Sequence, residues 1–436
     1  MEKKKKIINI VTTVFLVLLL LYLTIGILPY EFNVYSYEVY AKVLTYLIYP
    51  VFIIFILQKI LSKESTKFIE VIVILIGFFL ILSYNNAIDK NMALYGVLGR
   101  HEGLYEIILY YGIFLISKFL PQKNQKIILY SILGIGVFQI LLGHIQFIHI
   151  PTFMGIDMTS HYSYKYIAAS GTLGNPNFYA TYMLICSSYL FIIIFKDNEK
   201  INKKKILKIL LLLLFSYGLL ISNTSTCIII YILLIISSFI IRFIHKRQYK
   251  TFIVLLFVVL VLTLFTFNVK TPITNRISKQ ITNNVSEINQ LFKEGINEKS
   301  FNGRIDIWNR ALNDNLSHRL TGIGIDNFIY LNDGNKLCND KECFDKAHNE
   351  LIQIYVCEGI FTLILYVFFI TYVYIYGFKK LKVNNNYYFA IYISVIMYFI
   401  QSLLNIRVIE VAPMYFMLLG FLFNDDKEIE LIEEKN

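Results

Sequence analysis

The sequence predicts an all-α integral membrane protein of about twelve transmembrane helices, with one large extracytoplasmic loop that contains short helices. Three observations carry this expectation. Of 436 residues, 56% are hydrophobic and only 16% charged, and the mean hydropathy is +0.58, well outside the balance of a soluble domain. Apolar runs near twenty residues recur along the chain, each long enough to cross a hydrocarbon core roughly 30 Å thick as a helix. Lysine and arginine, finally, alternate between dense and sparse connections, as they do when short cytoplasmic loops collect the basic residues.

The expected spans are residues 7–29, 38–60, 68–84, 103–120, 127–149, 177–195, 206–222, 225–244, 250–268, 350–377, 386–404 and 408–424. The first follows "MEKKKK" but runs for about twenty apolar residues with no small-residue cleavage site, so it reads as a retained span. With the amino terminus inside, the inner connections hold Lys3 to Lys6, Lys59, Lys63, Lys67, Lys118, Lys123, Lys126, "KDNEKINKKKILK", "RFIHKRQYK" and "GFKKLK". The short outer connections hold little beyond Lys90, Arg100, Lys165 and Arg407. Both termini are therefore expected in the cytoplasm, in a multi-pass protein of the cell membrane. The formal net charge of +11 reflects topology and anionic membrane lipid rather than a nucleic-acid partner. The domain layout follows: an amino-terminal bundle over 1–268, a polar extracytoplasmic loop over 269–349, carboxy-terminal spans over 350–424 and a cytoplasmic tail over 425–436.

Cysteine usage separates into two groups. Cys186, Cys227 and Cys357 fall inside spans and read as small apolar residues. Cys338 and Cys343, in "CNDKEC", lie in the outer loop, where an oxidising compartment permits a disulfide; neither pairing nor free thiols is decided by the spacing.

The polar clusters gather at the outer ends of the spans. In "YGVLGRHEGLYEIILYYGIF", Arg100, His101 and Glu102 precede the fourth span and read as charges in water that anchor a helix end; Arg100 becomes a binding candidate only if it turns inward. "AASGTLGNPNFYATYM" is a turn cluster leading into a helix, with Pro176 at a first helical position and Asn175 and Asn177 as caps. Helix amino termini also hold anions, so the two asparagines are candidate substrate contacts. "SNTSTC" is a tight outer hairpin whose hydroxyls cap a helix.

Within the large loop, "NGRIDIWNRALNDNLSHRLTGIGIDNF" reads as an amphipathic helix followed by a glycine turn. Arg304 sits four residues before Trp308, so the two share a face where guanidinium and indole could stack. Either the helix lies on the membrane surface, or Arg304 offers its planar fork of donors to a phosphate. The final cluster, "DKAHNELIQIYVCEGI", puts His348, Asn349 and Glu350 at the start of an apolar segment. A neutral imidazole in the first turn of a helix is suited to take a proton, although a lone histidine there is more often a helix-end hydrogen-bonder.

Together, "GTLGNPNFYATYM", "NGRIDIWNRAL…LTGIGIDNF", "AHNELIQIYVCEGIFTLILY" and "QSLLNIRVIEVAPMYFMLLG" resemble the successive motifs of the O-antigen ligase and polymerase superfamily, over roughly residues 94–424. The resemblance implies a GT-C-like membrane glycosyltransferase that takes a glycan from an undecaprenyl diphosphate carrier and passes it to a glycan, lipid or protein acceptor, with no metal and no cofactor. It implies catalytic roles for Arg304 at the diphosphate and His348 at the acceptor hydroxyl, and Arg100 matches an arginine seen in a subset of members; Arg100, Asn175, Asn177, Asn349 and Arg407 are the candidate substrate contacts. One departure stands out. Many members carry a Ser-Arg pair where this chain reads Ser225-Thr226, so Arg100 or Arg407 is expected to replace that arginine. Arg407 would be costly to leave unpaired near a membrane, and Glu410 is its expected partner; that pair reads equally as structural. The alternative function, a flippase of the same lipid-linked glycans, would place ionisable residues near the midplanes of several spans, whereas these mid-span segments are almost free of charge.

Overall fold

Residues Phe68 to Asn85 show why this chain makes membrane helices: one acidic side chain, Glu70, sits in the first turn, and the turns beyond it are built almost wholly from Ile, Val, Leu and Phe. The computed structural model describes residues 2–25, 37–97, 101–148, 152–153, 156–157, 168–197, 200–244, 282, 286, 304–314, 318–331, 344–381 and 385–424. The expected ninth span, Arg100 and the Cys338 and Cys343 pair lie outside them.

The described helices are α1 (Glu2–Ile25), α2 (Tyr37–Ser62), α3 (Phe68–Asn85), α4 (Lys90–Tyr95), α5 (Leu104–Ser117), α6 (Gln122–Phe147), α7 (Pro176–Lys196), α8 (Lys203–Ile221), α9 (Ser225–Ile244), α10 (Arg304–Asp314), α11 (Glu350–Glu358), α12 (Ile360–Lys380), α13 (Asn386–Ser402) and α14 (Ala412–Leu422). A minimal antiparallel pair, β1 (Thr152–Phe153) with β2 (Ile156–Asp157), is the sole strand structure among the described residues. Six of these helices, α1, α2, α3, α6, α7 and α12, are long and apolar enough to cross a membrane. Their outward faces agree with that setting. Ile74, Phe78 and Ile81 of α3 and Ile364, Phe368 and Ile375 of α12 are all exposed, an apolar surface too extensive for a chain bathed in water.

The chain divides into two units, one formed by residues 1–135 and 301–436 and the other by residues 136–300. In the first, α5 is the central helix, packed against α2 and α14. Tyr110 and Phe114 are completely buried. Tyr110 stacks on Phe416 at 5.5 Å, and Phe114 meets Phe369 edge-on at 4.9 Å.

In the second unit, α7 packs along α8. The Gln146 carboxamide holds the turn ahead of α7, accepting from the Ser170 and Gly171 amides at 2.9 and 2.8 Å and donating to the Gly171 carbonyl at 2.8 Å. Asn175 caps α7 through the Asn177 amide at 2.8 Å, with Pro176 at the first helical position as expected. Cys186 and Cys227 are buried in this unit, and Cys357 in the first.

The expected span 350–377 is broken. Gly359 lies at φ +89°, in the left-handed region, and divides α11 from α12. The turn over residues 318–324 fills the break: Ile323 and Gly324 amides donate to the Val356 and Cys357 carbonyls at 3.0 and 3.1 Å, and the Ile360 amide donates to Arg319 at 2.9 Å. Ser83 on α3 donates a second bond, 2.7 Å, to the Cys357 carbonyl. Backbone groups freed by the break are thus satisfied within protein, the condition for interrupting a helix at membrane depth. A Cβ on Gly322, which sits at φ +75°, would strike the Cys357 carbonyl. Gly322→Ala is therefore expected to cost at least the 1–3 kcal/mol, roughly, of a forced backbone conformation, read as a lowered Tm in detergent; an unchanged Tm would mean that the turn does not brace the break.

Candidate active site

Three chain segments of the first unit converge where α11 begins. α10 is amphipathic, as expected, and its apolar face is not left for a lipid surface: Ile307 and Ala311 are buried in a cluster with Ile323, Phe328, Leu331, Ala347, Val356 and Cys357. Two side chains then fix its position. The Trp308 indole N–H donates to the Ala347 carbonyl at 2.8 Å, the residue before His348. Arg304 Nη1 donates to the Leu404 carbonyl, the residue before Asn405. The two residues thus reach different backbone carbonyls rather than stacking on one another.

His348 occupies the left-handed region at φ +52°, a conformation that costs a non-glycine residue energy and recurs at functional sites. Neighbouring bonds hold it there. Asn349 caps α11, accepting from Leu351 and Ile352 amides at 3.0 and 3.1 Å, and the Gln353 side chain accepts from the Ala347 amide at 2.8 Å. A small cleft opens beside the histidine, lined among others by His348, Asn349, Glu350, Asn405 and Arg407.

The cleft wall is continuous with a buried charge network, whose Glu102, Lys346, Glu350 and Arg407 line it. Arg407 Nε donates to Glu102 at 2.7 Å, Nη1 to Glu350 at 3.3 Å, and Nη2 faces Glu358 at 3.5 Å. Its guanidinium also lies 5.8 Å from the Tyr110 ring centre. Lys346 bridges Glu102 at 3.3 Å and Asp326, and Asp326 accepts from the Val97 amide at 2.7 Å. Burial pushes Asp326 up to about 6 against the pull of Lys346. Burial acts against the lysine charge too, but Asp326 and Glu102 hold Lys346 above its ordinary value. His101 is buried, and its burial lowers it to about 4, which keeps the ring neutral at physiological pH.

These positions correct two expectations. His101 and Glu102 are not charges in water; both are buried, because Arg407 and Lys346 draw the glutamate inward. Nor is Glu410 the partner of Arg407, whose three donor nitrogens face Glu102, Glu350 and Glu358 instead. Arg304 is the contrasting case. It is largely buried, burial lowers its guanidinium from the ordinary value, and among the described residues it forms no ion pair, since nearby Asp306 is held by Arg310 at 3.1 Å. The structure thus gathers Arg304, His348, Asn349 and Arg407 in one unit. Asn175 and Asn177 lie in the other, where Thr224 of the hairpin between α8 and α9 reaches the Asn177 side chain at 3.4 Å.

Residues 210–367 match the O-antigen ligase family. Over that stretch the chain is similar to the O-antigen ligase and polymerase superfamily, whose members are glycosyltransferase-like and work on lipid-linked glycans in a membrane. Among curated proteins, none matches the chain. The O-antigen ligase match takes in Arg304, Trp308, His348 and Glu358 and ends before Arg407. Lys346 and Glu358 were not singled out as site residues by sequence reasoning; the signal for both was a charge next to an apolar segment, "DKAH" and "CEGI", with no solvent-exposed loop between.

Proposed function

We propose that the protein is a membrane glycosyltransferase of the O-antigen ligase and polymerase type, moving a glycan from undecaprenyl diphosphate to an acceptor hydroxyl at the outer face of the membrane in surface polysaccharide synthesis. One observation carries the reading. α10 presents a largely buried arginine with no carboxylate partner among the described residues, and through Trp308 it grips the carbonyl next to His348, so a cation suited to phosphate and a base suited to a hydroxyl are tied through one helix.

In the mechanism, His348 takes the acceptor proton while the oxygen attacks the anomeric carbon with inversion. Arg304 stabilises the diphosphate as it leaves, where negative charge develops. Arg407 does not share that task, because its charge is already committed to three carboxylates. Asn349 acts by capping α11 and so fixing the histidine. Asn175 and Asn177 are kept as contacts for the glycan or its carrier, with the amino terminus of α7 as the anion-binding feature.

The course of α3 supports an outer-face position for the cleft. The basic residues expected inside, Lys59 and Lys118, meet Glu70 in its first turn, whereas Ser83 near its other end touches the wall of the cleft. Glu70 and Ser83 are about 20 Å apart along the axis, and the 18-residue helix that carries them is about 27 Å long, close to the thickness of a hydrocarbon core. Both termini are accordingly assigned to the cytoplasm.

The test is purified protein in nanodiscs with undecaprenyl diphosphate oligosaccharide, following carrier release and product size. A ladder of products means polymerase, and single transfer to an added acceptor means ligase. Arg304→Lys keeps the charge but loses the planar fork, and is expected to lower transfer about tenfold, the worth of roughly one hydrogen bond to a charged group. Labelled glycolipid crossing vesicles with no carrier released would refute the transferase reading.

A further inference from the structure

One carboxylate oxygen of the network finds no hydrogen-bond partner among the described residues. Glu350 is 3% exposed. Its Oε1 accepts from Tyr366 at 2.7 Å and faces Arg407 at 3.3 Å, but Oε2 is buried without a hydrogen-bond partner. Glu350 lines the same cleft as His348, and so does Asn405, which is 4% exposed and forms no hydrogen bond through its carboxamide among the described residues. A buried acceptor left unsatisfied costs about 1–3 kcal/mol, so such a group in a native structure is explained by strain, by a catalytic or binding role, or by a bound water or ion. The cleft has room for about one water-sized group, the size of a hydroxyl.

We infer that this cleft is a hydroxyl slot for the acceptor sugar, and that the acceptor is recognised as a vicinal diol. One hydroxyl enters the slot, donates to Glu350 Oε2 and is bonded by the Asn405 carboxamide. Its neighbour, the hydroxyl that reacts, stays at His348. A hydroxyl has one proton, so the group that binds Glu350 and the group that surrenders its proton to His348 must be different, and adjacent hydroxyls on one sugar ring supply both. Glu350 is thus a specificity residue that touches substrate, and Arg407 with Tyr366 positions it. The inference rests on the transferase reading above and adds to it the class of acceptor.

The test measures binding of the carrier-free repeat-unit oligosaccharide to nanodisc-embedded protein by saturation-transfer NMR. The sugar is used intact and after periodate cleavage and borohydride reduction, which destroy vicinal diols. Wild type is expected to bind the intact sugar about tenfold more tightly than the cleaved one, the worth of roughly one charge-assisted hydrogen bond. Glu350→Gln and Asn405→Ala are expected to lose that preference and bind both sugars weakly. Asn405 lies outside the ion-pair network, so its variant keeps the test valid if loss of the Glu350 charge disturbs folding. A wild type indifferent to periodate, or variants that keep the full preference, would overturn the slot. Carrier release in the same preparations judges the transferase reading separately: its absence would sink that reading, while the periodate comparison would still decide the slot.

Discussion

His348→Asn should leave the protein folded and reduce glycan transfer by about 10²–10⁴-fold, the usual contribution of a positioned general base. Asparagine is the informative substitution. His348 sits at φ +52°, a conformation asparagine adopts with little strain, whereas alanine would add a backbone penalty to the chemical one. The amide side chain can hydrogen-bond in the histidine's place but cannot accept a proton at neutral pH. Transfer measured by carrier release should therefore collapse while Tm stays within a few degrees of wild type. Transfer at the wild-type rate would remove His348 from the chemistry and return it to the helix-end role that its position also permits.

Arg407→Met should act in the opposite sense, on the fold before the chemistry. Removing the guanidinium leaves Glu102, Glu350 and Glu358 buried around an apolar side chain, and stripping one partner from a buried ion pair costs about 3–5 kcal/mol. Lysine should rescue little, since a single ammonium cannot face three carboxylates in different directions. The measurement is Tm and monodispersity in detergent. Adding Glu102→Gln should restore part of the loss, because the second change removes a charge that the first left uncompensated. If Arg407→Met kept its Tm and lost only transfer, Arg407 would be a substrate arginine after all.

The contrast between these two residues explains what the sequence could disclose. His348 and Arg304 were legible because their signals are local: an Ala-His-Asn start to a helix, and an arginine one turn before the chain's one tryptophan. The cap at Asn175 was legible for the same reason, whereas Asn349 was read as a substrate contact and proves to cap α11. The network was not, because its pairs are remote in the chain; Arg407 and Glu102 are 305 residues apart, and no periodicity links them. Charge near a span was therefore assigned to water or to the nearest opposite charge, and Glu410 was chosen over partners that only folding brings close. The broken span had a visible sign in Gly359, but apolar length outweighed a single glycine until the 318–324 turn was seen to occupy the gap.

That break also settles a problem of length. A continuous helix from Glu350 to Lys380 would run about 46 Å at 1.5 Å per residue, half as long again as the roughly 30 Å it has to cross. Most proteins absorb such an excess by tilting the rod or thickening the lipid around it. Here the surplus nine residues of α11 are cut from the rod and form a wall of the candidate cleft. Shortening or lengthening the α12 rod would alter how the protein sits in bilayers of different thickness, while the cleft, built from the severed piece, would keep its shape.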